Sequence, residues 1–526
     1  MPKSVFVVGI GGTGMRCIES FVHLCAIGMF DDTEVHLLAM DTDKDNGNFR
    51  RLATLVDNYK KINGGHSKSE TLFSAKINYY QFSPDYDKTD NATMARIINN
   101  NADNNIEIAN SVSGTRVKAT DLADLLIRPE VKEMSLAHGY RAQTQMGSML
   151  MYYAILEEAY NTRSNSGGLR DFLSNLNNGS AGKQVFVFGS VFGGTGASSL
   201  PIIPPAFNEA AKIMFNNDSI DLVKNNYYGA VILTNYFTFD IQCNEKVYAT
   251  ADKFALNSQA ALNFYNNDQT VKDVYKRLYV LGRDSGSLRR LPSGGTGGAD
   301  QCNPSDFIEL MAAFAAHDFF KQCDKPKSFD NPDKRFVCRG IDDNLSHLSF
   351  RNFTEDDKEF MKRLGVMTVT SFIDSAYEYF ENLRRDTVHF DENDLIPLKK
   401  YFQMFGTKAY TDEKGRLVKG WLNQIVDSAK DCGYQERVLP LRRFPVRARP
   451  GGGMLPHRGH GEGGACRFGR VCLSQAAPAV AAARRSGGRL REGAPQRACR
   501  REVRLDPRRL VVVYARLRED LPLPRS

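Results

Sequence analysis

Two glycine-rich stretches carry the residue types that hold phosphate. Gly9-Ile10-Gly11-Gly12-Thr13-Gly14 follows a short apolar run, Ser4 to Val8, and precedes an apolar-periodic segment from Met15 to Met29. Phe192-Gly193-Gly194-Thr195-Gly196-Ala197-Ser198 follows the buried-strand pattern of Val185 to Phe188 and opens onto a helical pattern from Ser198 to Lys212. Glycine lets backbone N–H groups approach an anion, and the helix behind it aims unpaired amides and the positive end of its dipole at the same point. Thr13, Thr195 and Ser198 add hydroxyls. A third polar stretch, His138 to Gly147, is framed by Gly139 and Gly147, contains Arg141, and leads into a helix from Ser148 to Tyr160. Acids stand at the ends of two further apolar runs, Asp41-Thr42-Asp43 after Val35 to Met40 and Asp240 after Tyr228 to Leu233. Each motif alone has a plain counterpart, a tight turn or loop-to-helix junction with no ligand, and it is their company that gives them weight.

Stepping along the chain, strand patterns alternate with helical ones from residue 4 to residue 281. That alternation predicts an α/β fold, a parallel, Rossmann-like sheet covered by helices on both faces. Ligands of such sheets sit at the carboxyl ends of the strands, where both glycine loops and Asp240 fall. Read by itself, the segment from 9 to 14 matches the dinucleotide fingerprint G-x-G-x-x-G. Residues 44 to 138 are Asn-rich; Ile97 to Ile108 and Ala119 to Ile127 read as helices, without assignable chemistry. A long helix is expected from Asn244 to Tyr265 and a strand from Arg277 to Leu281. Ser285 to Asn303 reads as a flexible linker, because its glycines follow no strand. A strong helix is expected over Pro304 to Lys321, capped by Asn303, then a strand at Val366 to Ile373 and a helix at Ser375 to Arg385. The expected domains are 1–303, a central helix at 304–322, a smaller incomplete C-terminal α/β domain at 323–432, and a tail at 433–526.

The formal net charge of +8 is misleading. From Asp431 onward there are 21 Arg, no Lys and 8 acidic residues, which leaves 48 basic against 53 acidic residues in the first 430. The body is mildly acidic, and nothing in it suggests a nucleic-acid surface. Beyond Lys430 there is no Lys, Asn, Ile or Thr, so the tail reads as text from another reading frame, or as a disordered segment. A basic arm for RNA or acidic partners is the alternative; it lacks interleaved aromatics. The ten cysteines show no metal spacing and fit reduced thiols in the cytoplasm. The N-terminus reads directly into a strand rather than a signal peptide, and no apolar run approaches a membrane span.

In their order these pieces resemble the tubulin/FtsZ superfamily, specifically its divergent prokaryotic members. GIGGTG is similar to the first glycine loop of FtsZ, and LLAMDTD to the second-strand segment ending in Asn/Asp-Thr-Asp. The loop from 139 to 147 has the family's glycine-to-glycine spacing, with Gln143-Thr144 where Asn-Pro is usual. FGGTGAS resembles the tubulin signature GGGTGSG, with Phe192 for its first glycine, and VILTNYFTFD resembles a run ending in Glu, here Asp240. LMAAFAAHD, Leu310 to Asp318, is similar to the start of the central helix. Between residues 4 and 325 the resemblance is good, and beyond them it is poor.

The resemblance implies a GTPase-type sheet binding GTP with Mg²⁺ and assembling head to tail into a cytoskeletal filament. The backbone of Gly11, Gly12, Thr13, Gly14, Gly193, Gly194, Thr195, Gly196, Ala197 and Ser198 would hold phosphates, with Gly139 and Arg141 beside them. Asp41, Thr42 and Asp43 would face the metal's water shell and Asp240 the ribose. Phe314 would stack on the base, and Asp318, one turn on, would accept both donors of the guanine edge. Hydrolysis would draw acids from a neighbouring copy, Asp342 and Asp343 by spacing. Two rivals stand beside this reading: a non-hydrolysing GTP-binding scaffold, and an NAD(P)-dependent oxidoreductase, which leaves the second glycine loop unexplained.

Overall fold

The computed structural model describes residues 3–84, 107–109, 116–118, 125, 127–134, 136, 139–161, 167–179, 181–239, 250–283, 288–291, 298, 301–330, 335–338, 359–360, 362–364, 367, 392–406, 409–411 and 415–431. Among these residues seven strands form one sheet: β1 (Lys3–Ile10), β2 (Thr33–Met40), β3 (Lys76–Phe82), β4 (Gln184–Ser190), β5 (Tyr227–Leu233), β6 (Tyr275–Leu281) and β7 (Phe336–Cys338). Their order is β7-β6-β5-β4-β1-β2-β3, and every neighbouring pair is parallel. The helices that position the site are α1 (Gly11–Ala26), α2 (Gly47–Asn63), α3 (Thr144–Asn161), α4 (Gly168–Asn177), α5 (Thr195–Ser199), α6 (Ile203–Phe215), α7 (Phe254–Asn267), α8 (Phe307–Cys323), α9 (Glu392–Phe405) and α10 (Trp421–Asp431).

Both faces of the sheet are covered, which is why its strands read as near-continuous apolar runs. Val5 and Val7 point into the core beneath α1, α2 and α8, whereas Phe6, Val8 and Ile10 point into the core beneath α3, α4 and α6. The period of two along a single strand thus feeds two separate cores. At Gly229 the approach of α8 is so close that a Cβ would sit 2.6 Å from the Phe319 ring.

Three expectations change. α8 starts at Phe307, later than Pro304, because the Asp306 carboxylate accepts from Ile308 N (3.0 Å) while Glu309 Oε2 accepts from Asp306 N (2.8 Å). This capping box satisfies two amide donors reciprocally and outcompetes a cap at Asn303. Glu107–Ala109 is a strand paired antiparallel with Arg116–Lys118, setting Ile108 opposite Val117, where a helix end was expected. The end of the expected linker is tied down, with Gly298 N donating to Asp43 and Arg51 donating to Asn303 O. Among the described residues after 391, Tyr401, Phe405, Trp421 and Ile425 are buried in the α1/α2/α8 core. The expected strand at 366–373 and helix at 375–385 lie, apart from Met367, outside the described residues, as does the tail after Asp431.

Candidate functional site

The site forms where the chain leaves β1 and β4 in opposite directions, α1 covering one face and α5 and α6 the other. Such a switch point opens a crevice at the carboxyl edge of a parallel sheet. β1 runs directly into α1 through Gly11, whose φ of +69° is costly for any residue with a Cβ. Gly14 serves packing: a Cβ there would fall 2.8 Å from Phe188 O on β4 and from the Gly9 carbonyl carbon. Gly12 and Thr13 are half-buried at the start of the helix. α1 has no side-chain cap and no acid in its first turn, so its leading amides are left without the usual local acceptor.

Three more segments close on that turn. A Cβ built on Gly11 would lie 3.5 Å from Thr195 Cβ and 3.8 Å from Gly196 N, so the two glycine loops abut. One on Gly139, itself at φ +88°, would lie 3.4 Å from Thr195 Oγ1 and 3.6 Å from Thr42 Oγ1. The 139–142 loop is pressed onto the second glycine loop, with Arg141 N only 2.8 Å from a Cβ on Gly194. Arg141 (φ +46°) and Ala142 (φ +62°) both hold left-handed backbone, a strain that the surrounding packing must sustain. α5 also begins without a side-chain cap; the Ser198 hydroxyl turns back to Gly194 O at 2.7 Å. Phe192, standing where the resemblance has a glycine, turns away from the crevice into an aromatic cluster with Phe254 (4.7 Å), Phe237 (5.4 Å) and Tyr236 (5.8 Å).

The acids after β2 are buried. Asp41 accepts from Asn46 Nδ2 (3.2 Å) and Asp43 N (3.4 Å), and burial, with the neighbouring Asp43 charge, pushes its carboxyl up to about 7. The buried Thr42 hydroxyl beside them has no hydrogen-bond partner among the described residues. Asp43 is already engaged: Asp45 N donates to Oδ1 (3.1 Å) and Gly298 N to Oδ2 (2.5 Å). Gln301 pairs with Asn46 Nδ2 through its side chain (3.1 Å) and with Asn48 Nδ2 through its carbonyl (3.0 Å), and Asn303 O accepts from Arg51 (2.8 Å). The described end of the segment that composition marks as free linker, at Gly298, Gln301 and Asn303, is therefore strapped to the start of α2 next to the acids. Among the described residues no group of three or more His, Cys, Asp or Glu could hold a metal ion.

Beneath the start of α1 lies a buried charged pair that belongs to none of the glycine or acidic motifs. Arg16 Nε meets Glu309 Oε1 at 2.6 Å, with both side chains almost wholly buried. Tyr236 OH donates to the same oxygen (2.6 Å) and accepts from Arg16 Nη2 (3.0 Å), which also reaches Thr13 Oγ1 (3.3 Å). Burial opposes the Arg16 charge, but Glu309 and Tyr236 more than offset it, and the guanidinium pKa is raised. The Asp-x-x-Glu spacing at 306–309 was the available signal for Glu309.

Gly11, Gly12, Thr13, Gly14, Asp41, Thr42, Asp43, Gly139, Arg141, Gly193, Gly194, Thr195, Gly196, Ala197 and Ser198 thus gather on neighbouring loops at the carboxyl edge of the sheet. Phe314 and Asp318 do not join them. α8 meets Arg16 with its first turn and runs back across the sheet, so that Phe320 O accepts from Lys3 Nζ at the start of β1 (3.1 Å). Asp318 lies nine residues beyond Glu309, roughly 14 Å along the axis at 1.5 Å per residue, and accepts from Tyr279 OH at 2.8 Å. Phe314 packs edge-on against Phe360, ring centres 4.7 Å apart. Asp240, Asp342 and Asp343 lie outside the described residues.

No protein-family model matches the chain, and no curated protein sequence matches it. Among solved structures it is similar to a TubZ protein of Clostridium botulinum phage c-st, truncated at its C-terminal tail. The two are 14% identical over 54% of each chain, with a TM-score of 0.21. The chain thus spans about half the length of that structure.

Proposed function

We propose that the chain binds a nucleoside triphosphate with Mg²⁺ at the β1/β4 crevice, the nucleotide being GTP as the tubulin/FtsZ resemblance implies. The observation that carries this reading is the meeting of both glycine loops and the 139–142 loop at the uncapped start of α1, where Gly11 and Thr195 abut. A phosphate run fits there: the start of α1 has no side-chain cap, and the Thr42 hydroxyl, unpartnered among the described residues, lies at the same junction. Gly11 to Gly14 and Gly193 to Ser198 would hold the phosphates. Asp41 and Asp43, only two acids, suit a cation that keeps much of its water shell. When bound, the cation neutralises phosphate charge; the chain's own part is to orient the anion and exclude water from around it. Head-to-tail assembly, with Asp342 and Asp343 of a neighbouring copy completing hydrolysis, belongs to the same reading and rests on the resemblance alone. A GTP-holding scaffold without turnover differs from it only in that last step.

One observation favours the rival dinucleotide reading. The order of the first six strands, 3-2-1-4-5-6, with an acid after β2, is also that of NAD-binding sheets. Against it, the second glycine loop fills the crevice beside the first, leaving a compact phosphate cradle where a dinucleotide would spread its second half. Equilibrium binding of GTP, ATP and NADH to the full chain separates the readings. Selective, Mg²⁺-dependent GTP binding is the expected result. NADH binding in its place, or no nucleotide binding, would overturn the proposal, and nucleotide-dependent pelleting with phosphate release then divides filament from scaffold.

A further inference from the structure

Arg16, Glu309 and Tyr236 form a closed set whose one open valence points at the cradle. Glu309 accepts three donors: Arg16 Nε (2.6 Å), Tyr236 OH (2.6 Å) and Asp306 N (2.8 Å). Arg16 has only donors to offer, and its Nη2 serves Tyr236 OH (3.0 Å) and Thr13 Oγ1 (3.3 Å). A hydroxyl that accepts from a guanidinium keeps its own hydrogen for some other acceptor. No hydrogen bond donated by Thr13 to another described residue exists, although a threonine on a helix can turn its hydroxyl back to its own backbone. The pair is also an odd choice for stability alone, because apolar residues of similar volume usually replace a buried ion pair without loss. Its position offers a reason: the three groups come from the second turn of α1, the segment just after β5 and the first turn of α8, and they meet under the glycine loop.

We propose that Arg16, clamped by Glu309 and Tyr236, is a positioning residue that turns the Thr13 hydroxyl outward as a hydrogen-bond donor to an anionic oxygen seated over α1. The inference rests on reading the crevice as a phosphate cradle. It adds that the phosphate contact at Thr13 depends on residues that never touch the ligand, and that the start of α8 is mechanically part of the site.

The test compares GTP, guanosine and inorganic pyrophosphate binding in the full-length protein and its variants, with melting temperature recorded for each. Thr13→Val should weaken GTP and pyrophosphate about tenfold, while Thr13→Ser keeps both near wild type. Arg16→Met with Glu309→Gln removes the charges, keeps the volume and retains the capping box; it should melt near wild type and lose as much phosphate affinity as Thr13→Val. Adding Thr13→Val to that double variant should cost nothing further. Should the double variant fail to fold, Tyr236→Phe, which unseats one side of the clamp, must weaken GTP and pyrophosphate and leave guanosine unchanged. Additive losses, equal losses for guanosine, or full phosphate affinity without the clamp would overturn the inference while leaving GTP binding intact. A wild-type protein that binds none of the three probes would overturn the cradle and the inference together.

Discussion

Trp421 Nε1 donates to Ser20 Oγ across 3.2 Å, fastening α10 to the flank of α1 behind the glycine loop. The same indole lies 4.4 Å from the His23 ring, and His23 Nδ1 shares a 2.7 Å hydrogen bond with Tyr401 OH on α9. Burial in this aromatic nest pushes the His23 pKa down to about 3, so the ring stays neutral. α10 also reaches the start of α8, where Phe307 N donates to Ser428 Oγ at 2.6 Å. The helices after 391 thereby brace the middle of α1 and the start of α8.

The chain has a single tryptophan, which makes the brace directly observable. Its emission should be that of a buried indole in the native state and shift red in the main unfolding transition. Trp421→Ala should cost about 3–5 kcal/mol in urea denaturation followed by far-UV circular dichroism. A cost below about 1 kcal/mol would mean that α10 is not part of the core.

Asp41 should make stability depend on pH in an unusual direction. Its carboxyl is pushed up to about 7 when folded, against about 3.9 in an unfolded chain. Between those values the folded chain binds a proton that the unfolded chain has lost, so this contribution is present at low pH and declines as pH rises through 7. The decline is roughly 4 kcal/mol at most. Asp41→Asn should therefore raise the melting temperature at pH 8 but not at pH 4, while weakening Mg²⁺-dependent nucleotide binding. An equal effect at both pH values would refute the assignment.

Gly194→Ala should damage the site more than the fold. Its Cβ would lie 2.8 Å from Arg141 N, and backbone cannot yield as a flexible side chain can. Displacing the 139–142 loop should weaken nucleotide binding more than tenfold, at a folding cost of about 1–3 kcal/mol. Isothermal titration beside thermal melting separates the two effects; wild-type affinity in the variant would mean that the loops do not share a ligand.

Asp318→Ala should leave GTP affinity within about twofold of wild type. Its carboxylate serves the buried Tyr279 hydroxyl, so the expected loss is about 1–3 kcal/mol of stability from a stranded donor. A large, selective loss of GTP binding would instead restore Asp318 to the base.

The amino-acid sequence by itself determined the local and periodic features of this protein. Apolar runs ending in glycine fixed strand, turn and helix around Gly11 and Gly194, and their alternation with helices fixed a parallel sheet whose carboxyl edge carries the site. Those features follow from sterics and periodicity within a dozen residues, and so they are written in order along the chain. Only the tertiary structure decided which face of α8 meets which partner. Phe314 and Asp318 have the spacing of a base clamp, yet the register of α8 on β5 and β6 turns them to Phe360 and Tyr279 and gives Arg16 to Glu309 in their place. It also decided that Gly298 and Gln301, glycine-rich linker by composition, are held by Asp43 and Asn46. Pairings between residues some 250 to 300 positions apart depend on how helices seat on the sheet, and neither composition nor period encodes that.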